Sequence, residues 1–296
     1  MRYAVVRRMI VLPRRLDKFI RDASSLSHQA IRRAWTEGRI VVFPGVPGVT
    51  LRPGVDLNQL IYAEDEVQLD GQRLSLRTEH SSAKLNKPSG VTSTARDPHG
   101  GADLRPWLEQ MPDGAFAVGR LDRETTGLLL LTNDGELADA ILQPVRHVDK
   151  TYWLWLDDEL EDDDPRWVAM TQPSPHYDAA KRVTLLHRSP DHIEIEMTLD
   201  QGKHRQIRKL CRALGLHLQH LHRRSIGPIA LDGQPVGDCV PLTSVEVDAL
   251  WASVGGRGRT WRAQRAALRR QAQKARDRNH PDPRLEDWLL RNPERE

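Results

Sequence analysis

An α+β fold is what this chain of 296 residues predicts. Three observations lead to it. Two short amphipathic helices and a pair of strands fill the region before residue 72. Strand and helix patterns then alternate as far as residue 250. The strongest apolar run, Leu128 to Thr132, is too short for anything but a buried strand. The reading gives three regions: a compact unit over 13–71, a larger α+β domain over 83–250, and an extension over 255–296. Apolar residues make up about 44% of the chain when glycine is counted in place of tyrosine, just below the globular range, which excludes a mostly disordered protein.

The first unit opens with Leu16, Phe19, Ile20 and Ala23 at helical spacing, followed by Ala30, Ile31, Ala34 and Trp35 behind a capping Ser27. Arg39 to Phe43 reads as a strand turned by Pro44-Gly45, and Glu66 to Leu69 as a strand ending at Asp70-Gly71. Residues 72–83 are polar and read as a linker. In the larger domain the expected strands are 115–118, 128–132, 152–156, 183–187 and 192–198. Ile193, Ile195 and Met197 alternate with His192, Glu194 and Glu196, so one face of that strand is wet. Asn133, three residues before Glu136, is placed to cap a helix. The run from Asp157 to Asp164 holds seven acids in eight residues and reads as a solvated loop. Lys203 to Leu214 predicts a helix with Ile207, Leu210, Cys211 and Leu214 inward and Arg205, Arg208, Lys209 and Arg212 on the opposite side. Gly202 would leave its N-terminus open to a phosphate. Trp261 to Arg278 has good helix formers but a weak apolar stripe, which suits a basic arm that orders on RNA or a solvated tail.

The net charge of +3 conceals an uneven distribution: residues 1–40 carry +7, residues 255–296 carry +6, and the middle carries −10. Basic ends around a globular body suit a nucleic-acid partner, because phosphate neutralisation supplies sequence-independent affinity. Of the 44 basic residues 36 are arginine, which suits bidentate phosphate contacts; a GC-rich genome produces the same bias. No stretch reaches the roughly 18 uninterrupted apolar residues of a membrane span, since Arg7, Arg8 and Arg14 break the N-terminal candidate. Those arginines and the missing small-residue cleavage site argue against a secretory signal. Cys211 and Cys239 are too few for a disulfide framework or a four-cysteine zinc site. A cytoplasmic protein without a membrane partner is expected.

Chemistry concentrates in Gly119-Arg120-Leu121-Asp122-Arg123-Glu124-Thr125-Thr126-Gly127, a nine-residue polar loop entering the buried run. Loops held by buried strands commonly carry reactive groups. The residues alone fit either such a group at Asp122 or a structural pairing of Asp122 with Arg120 or Arg123. His217, His220 and His222 are interleaved with Leu216, Leu218 and Leu221 and have no obvious carboxylate or cysteine companion, so no metal is assigned. Cys211, on the apolar helix face, reads as inert.

The segment from Gly119 to Gly135 closely resembles the Gly-Arg-Leu-Asp signature of pseudouridine synthases, in particular the RsuA-type family that modifies ribosomal RNA. Three further stretches fall in that family's order: Leu85-Asn86-Lys87-Pro88-Ser89-Gly90, Lys150-Thr151-Tyr152, and Gln201-Gly202-Lys203-His204-Arg205-Gln206-Ile207-Arg208-Lys209. Gln201 departs from the family's usual Glu. The resemblance implies a pseudouridine synthase fold with a mixed, mainly antiparallel sheet. It implies isomerisation of a uridine by cleavage of the N1 to C1′ bond and rejoining through C5. Asp122 is then the catalytic carboxylate, Tyr152 stacks on the uracil, and Arg208 pairs with Asp122. Lys87, Arg120, Lys203, Arg205, Gln206 and Ile207 are implied on the substrate side. Attack at C1′, attack at C6 and elimination to a glycal are all open routes. The target base must leave its stack to reach the carboxylate.

The first unit similarly resembles an S4-like RNA-binding module through Arg15-Leu16-Asp17-Lys18 and Glu37-Gly38-Arg39-Ile40-Val41, which places Arg15, Lys18, Arg32 and Arg33 towards RNA. It departs at Ser27-His28 and Pro44-Gly45, where that module has Ser-Arg and Asn-Gly. Together the resemblances imply a monomer without cofactor or metal. The partner implied is RNA: ribosomal RNA, free or in an assembly intermediate, with transfer RNA as the alternative and a non-catalytic RNA-binding role on the same fold as another.

Overall fold

A computed structural model describes residues 6–7, 13–24, 26–43, 57–62, 65–75, 79–256, 268–270, 272–273, 277 and 283–291. The chain forms two compact units, one built on Ser81–Val254 and the other on Val6–His80 together with Gly255–Glu296.

In the smaller unit, strands β1 (Val6–Arg7), β2 (Arg14–Arg15), β3 (Ile40–Phe43), β4 (Leu60–Ile61), β5 (Glu66–Leu69), β6 (Gln72–Arg73) and β7 (Glu79–His80) accompany helices α1 (Leu16–Ala23) and α2 (His28–Thr36). All pairings are antiparallel: β1 with β7, β2 with β4, and β5 between β3 and β6. The helical spacing reflects burial, since Leu16, Phe19 and Ile20 of α1 and Ile31 and Ala34 of α2 meet Ile40, Ile61 and Val67 in one core. Ser27 accepts from the amide of Ala30 and caps α2. Asp70 and Gly71, both at positive φ, turn β5 into β6. The turn expected at Pro44-Gly45 lies outside the described residues, as does most of Trp261 to Arg278.

The described residues beyond 267 add an apolar edge to this unit. Leu268, Ala272 and Leu285, the last on a helix over Pro283–Arg291, cluster with Leu60 and Tyr62. Arg284 lies 2.7 Å from Asp65 and its guanidinium sits 4.0 Å above the Tyr62 ring.

The larger unit is a nine-stranded sheet. Its strands are β8 (Ser82–Lys87), β9 (Phe116–Ala117), β10 (Thr126–Thr132), β11 (Lys150–Leu156), β12 (Arg182–Arg188), β13 (Ile193–Leu199), β14 (Leu218–Ile226), β15 (Ile229–Ala230) and β16 (Cys239–Pro241). The order is β12-β13-β11-β14-β10-β8-β16, with β15 beside β14 and β9 beside β10. Every pairing is antiparallel except β10 with β14. The α+β class with a mainly antiparallel sheet is thus as expected. Leu128 to Leu131 are each almost wholly buried, worth about 1.5 to 3 kcal/mol per side chain, which anchors the polar loop that precedes them. The helices are α3 (Arg105–Leu108), α4 (Gly135–Leu142), α5 (Pro165–Ala169), α6 (Gln206–Ala213) and α7 (Ser244–Ser253).

Several local expectations need correction. Asp134, not Asn133, caps α4 by accepting from the amides of Glu136 and Leu137; Asn133 instead accepts from the Ser81 amide. The predicted helix over 203–214 starts only at Gln206, after Arg205 at φ 54°, so Gly202 lies off its N-terminus. The acidic run is not simply solvated: Leu160 is buried, Asp158 bonds His217, and Asp164 caps α5. Residues 72–83 are not all linker, since they supply β6, β7 and the start of β8. Strands β8, β14, β15 and β16 lie outside the strands expected from the sequence.

Candidate active site

The loop carrying Asp122 is pinned from two sides. Ser93 Oγ accepts from the Leu121 amide and donates to the Leu121 carbonyl. The Gly90 amide donates to the Arg123 carbonyl, and Arg123 Nε donates back to the Gly90 carbonyl. Behind Asp122, the Thr125 amide closes a turn onto the Asp122 carbonyl at 3.1 Å. Arg123 is thereby engaged by backbone. The cation beside the carboxylate comes from α6: Arg208 Nε lies 3.4 Å from Asp122 Oδ2, and its Nη2 donates to Thr125 Oγ1 at 3.3 Å. The Nε contact is an ion pair without the alignment of a hydrogen bond. Both side chains are largely shielded, at 19% and 25% exposure.

Asp122 and Arg208 face a cavity of about 370 Å³ also lined by Arg120, Lys150, Tyr152, Lys203, Arg205, Gln206, Ile207 and Arg223. This volume suits a small ligand or a single flipped base. Of the residues the sequence assigned here, all but one line it. The exception is Lys87, which is wholly buried and donates from Nζ to the carbonyls of Pro88, Val91 and Arg123. It braces the two loops that hold Asp122 and does not face the substrate space. Burial pushes its ammonium down to about 8, against the opposing pull of Glu124 and Asp122.

That depressed value predicts a pH effect on stability. Between about pH 8 and the unfolded lysine value near 10.4, the unfolded chain binds more protons than the folded one, so stability credited to Lys87 rises with pH. Urea unfolding of wild type and Lys87→Met at pH 7 to 10 should show the difference moving in wild type's favour above pH 8. A pH-independent difference would refute this.

A row of backbone partners crosses the sheet beside the site. Gly127 of β10 pairs with Lys87 of β8 on one side and with Arg223 of β14 on the other. Arg223 pairs with Tyr152 of β11, and directly paired residues point to the same sheet face. Tyr152 is 8% exposed, belongs to the main apolar core and lines the cavity. A register shift between Thr151 and Tyr152 leaves Arg224 as an extra residue on β14; such bulges re-aim neighbouring side chains and often flank active sites. Lys150 donates to the Val148 carbonyl, and burial, then the nearby Arg223, lowers its pKa. At the mouth, Lys203 pairs with Asp178, while Arg120 and Arg205 are exposed. Sequence reading missed Ser93 and Arg223; the Arg223 signal was masked by the histidines around it.

Those histidines are separately occupied: His217 bonds Asp158, His220 meets the edge of Trp155, and His222 bonds Thr126. Cys211 is buried, with its thiol pushed up to about 12 by burial. In the smaller unit, Arg15 and Arg32 line one hollow with His28 and Trp35. Arg33 is paired with Glu37 on the helix surface, and Lys18 is exposed outside that hollow.

A carboxylate paired with an arginine thus lines a cavity that also holds a buried tyrosine, on a mixed sheet. Comparison with known proteins gives the class. A family model described as RNA pseudouridylate synthase matches residues 83–213. The chain is 31% identical over 242 residues to ribosomal large subunit pseudouridine synthase B of Bacillus subtilis, spanning 80% of this chain and 96% of the relative. It is 31% identical over 235 residues to ribosomal small subunit pseudouridine synthase A of Escherichia coli K12, spanning 79% and 98%. A crystal structure of a pseudouridylate synthase superposes with a TM-score of 0.54 at 27% identity, covering 80% of this chain and 99% of that one. The chain therefore belongs to the RNA pseudouridine synthase family, a family of isomerases. No described helix is long and apolar enough to cross a membrane.

Proposed function

We propose that the protein converts a specific uridine of ribosomal RNA to pseudouridine, with Asp122 as the catalytic carboxylate. The observation that carries this reading is the Asp122 and Arg208 pair at the wall of a cavity that Tyr152 also lines. Isomerisation needs a group that acts on the sugar or the base while the N1 to C1′ bond breaks. It also needs a surface that keeps the detached uracil in place while it turns to offer C5. Asp122 supplies the first, as nucleophile or as stabiliser of positive charge at C1′. Tyr152 supplies the second by stacking. Arg208 orients Asp122. One carboxylate suffices because the leaving base is itself the next nucleophile.

Exposed Arg120 and Arg205, with Lys203, are suited to backbone phosphates at the mouth, and Gln206 and Ile207 shape the wall. The smaller unit serves as an S4-like RNA-binding module, with Arg15 and Arg32 on one concave patch and Lys18 and Arg33 adding charge beside it. Action as a monomer is part of the same reading. Ribosomal RNA is favoured because the relatives are named for it.

The test is a map of pseudouridines in ribosomal and transfer RNA from cells with and without the gene. One ribosomal position should be lost in its absence, and restored by the wild-type gene but not by one encoding Asp122→Asn. Loss confined to a transfer RNA position would move the substrate there; no lost position in either RNA would overturn the proposal.

A further inference from the structure

Arg223 is a buried cation that the reading above does not use. It is 3% exposed, lines the cavity, and spends Nε on the Leu128 carbonyl at 2.7 Å. Its Nη2 is buried with no hydrogen-bond partner among the described residues. Leaving a buried guanidinium nitrogen without a hydrogen bond is costly, so such a group in a cavity wall is poised for a ligand. It is held firmly: the Nε bond fixes one edge of the guanidinium, the bulge at Arg224 sets the strand's direction, and Gly127 on β10 lets the backbone of β14 approach closely.

Resting on the pseudouridine synthase reading, we infer that Arg223 Nη2 donates a hydrogen bond to a carbonyl oxygen of the flipped uracil and stabilises the negative charge that gathers there. In a route through C1′ or a glycal, the N1 to C1′ electron pair leaves with the base and spreads over N1, O2 and O4. In a route through C6, the electrons displaced from the ring double bond gather at O4. Each route loads a uracil oxygen with charge, and a preorganised donor in a water-poor site acts most strongly on such developing charge. No proton is transferred, as guanidinium stays protonated. The base, rather than a phosphate, is assigned for two reasons. Arg223 is the direct strand partner of Tyr152, the expected stacking surface. The exposed cations for the RNA backbone stand elsewhere, at the mouth. Lys150, which lines the same cavity, is close enough to feel the Arg223 charge.

The experiment compares Arg223→Lys and Arg223→Ala with wild type and Asp122→Asn on ribosomal RNA carrying tritium at uracil C5, reading tritium release, RNA Kd and its salt dependence. Arg223→Lys keeps a charge and a donor to Leu128 but loses the second nitrogen. It should lower kcat by about 10², with Kd and salt slope unchanged. Added guanidinium should restore part of the Arg223→Ala rate, which a purely structural role would not allow; thermal unfolding identifies any variant that fails to fold. A kcat for Arg223→Lys within threefold of wild type overturns the inference. So does a loss confined to Kd with the salt slope reduced by about 0.7, which would make Arg223 a phosphate contact. Absence of rescue in a folded Arg223→Ala also counts against it. If wild type itself releases no tritium, the proposed function has failed instead.

Discussion

Asp122→Asn is expected to reduce pseudouridine formation by about 10⁴-fold or more, the scale on which removal of a group acting directly on the reacting bond is felt, or roughly 5 kcal/mol of transition-state stabilisation. Asparagine keeps the size of the side chain and the backbone of a loop fixed by Ser93, Gly90 and Thr125, so the fold and the RNA-binding surfaces should persist. RNA affinity should accordingly stay within a few-fold of wild type. Arg208 would lose its ionic partner, but its contact to Thr125 Oγ1 remains. Single-turnover rates with saturating enzyme, beside a binding isotherm for the same RNA, check both halves. Turnover at a normal rate would remove Asp122 from the chemistry.

Gly127→Ala is expected to damage the fold more than any conservative change elsewhere in the sheet. A Cβ at this position would sit 2.3 Å from the Arg223 carbonyl oxygen and 2.7 Å from its amide nitrogen, and φ is +101°. Neither atom is the end of a flexible side chain, so relief requires β10 and β14 to separate at their parallel junction. Backbone strain and overpacking together should cost about 3 to 5 kcal/mol. At this domain size that is a fall in Tm of around 10 °C. Gly202→Ala is the control: its added carbon would meet only Lys150 side-chain carbons at 3.8 and 3.9 Å, and Tm should not move. A Gly127→Ala protein melting within about 2 °C of wild type would show that the strands yield easily there.

The contrast between these two glycines indicates what could be read from the sequence. The Asp122 loop was legible because its signal is local: a polar stretch running straight into Leu128 to Leu131. The first-unit helices were legible for the same reason, with their buried faces at regular spacing and Ser27 in place as a cap. The motif around Lys87 is visible in the sequence but its bracing role is not, because nothing nearby in sequence shows that its ammonium meets the Arg123 carbonyl, 36 residues away. Arg223 went unnoticed for a related reason. Its importance comes from register, with Gly127 on one side and Tyr152 on the other, and the bulge at Arg224 interrupts the alternation that would have marked β14 as a strand. The helix over 206–213 shows the limit on boundaries: its apolar face was correct, but the left-handed Arg205 sets its start three residues later than periodicity alone suggests. In the stretch after residue 255, the apolar anchors Leu268, Ala272 and Leu285 are too dispersed for a window of helical length to gather them.

That dispersed cluster has a consequence for how the chain is made. Leu60 and Tyr62 emerge from the ribosome early, whereas Leu285, which covers them, is added about 220 residues later, on the order of 10 to 45 s at ordinary elongation rates. Within that interval the whole of Ser81–Val254 is made and becomes available to fold, while the smaller unit waits with one apolar face uncovered. In the order of synthesis, the enzyme's chemistry is assembled before its first-made unit can be finished.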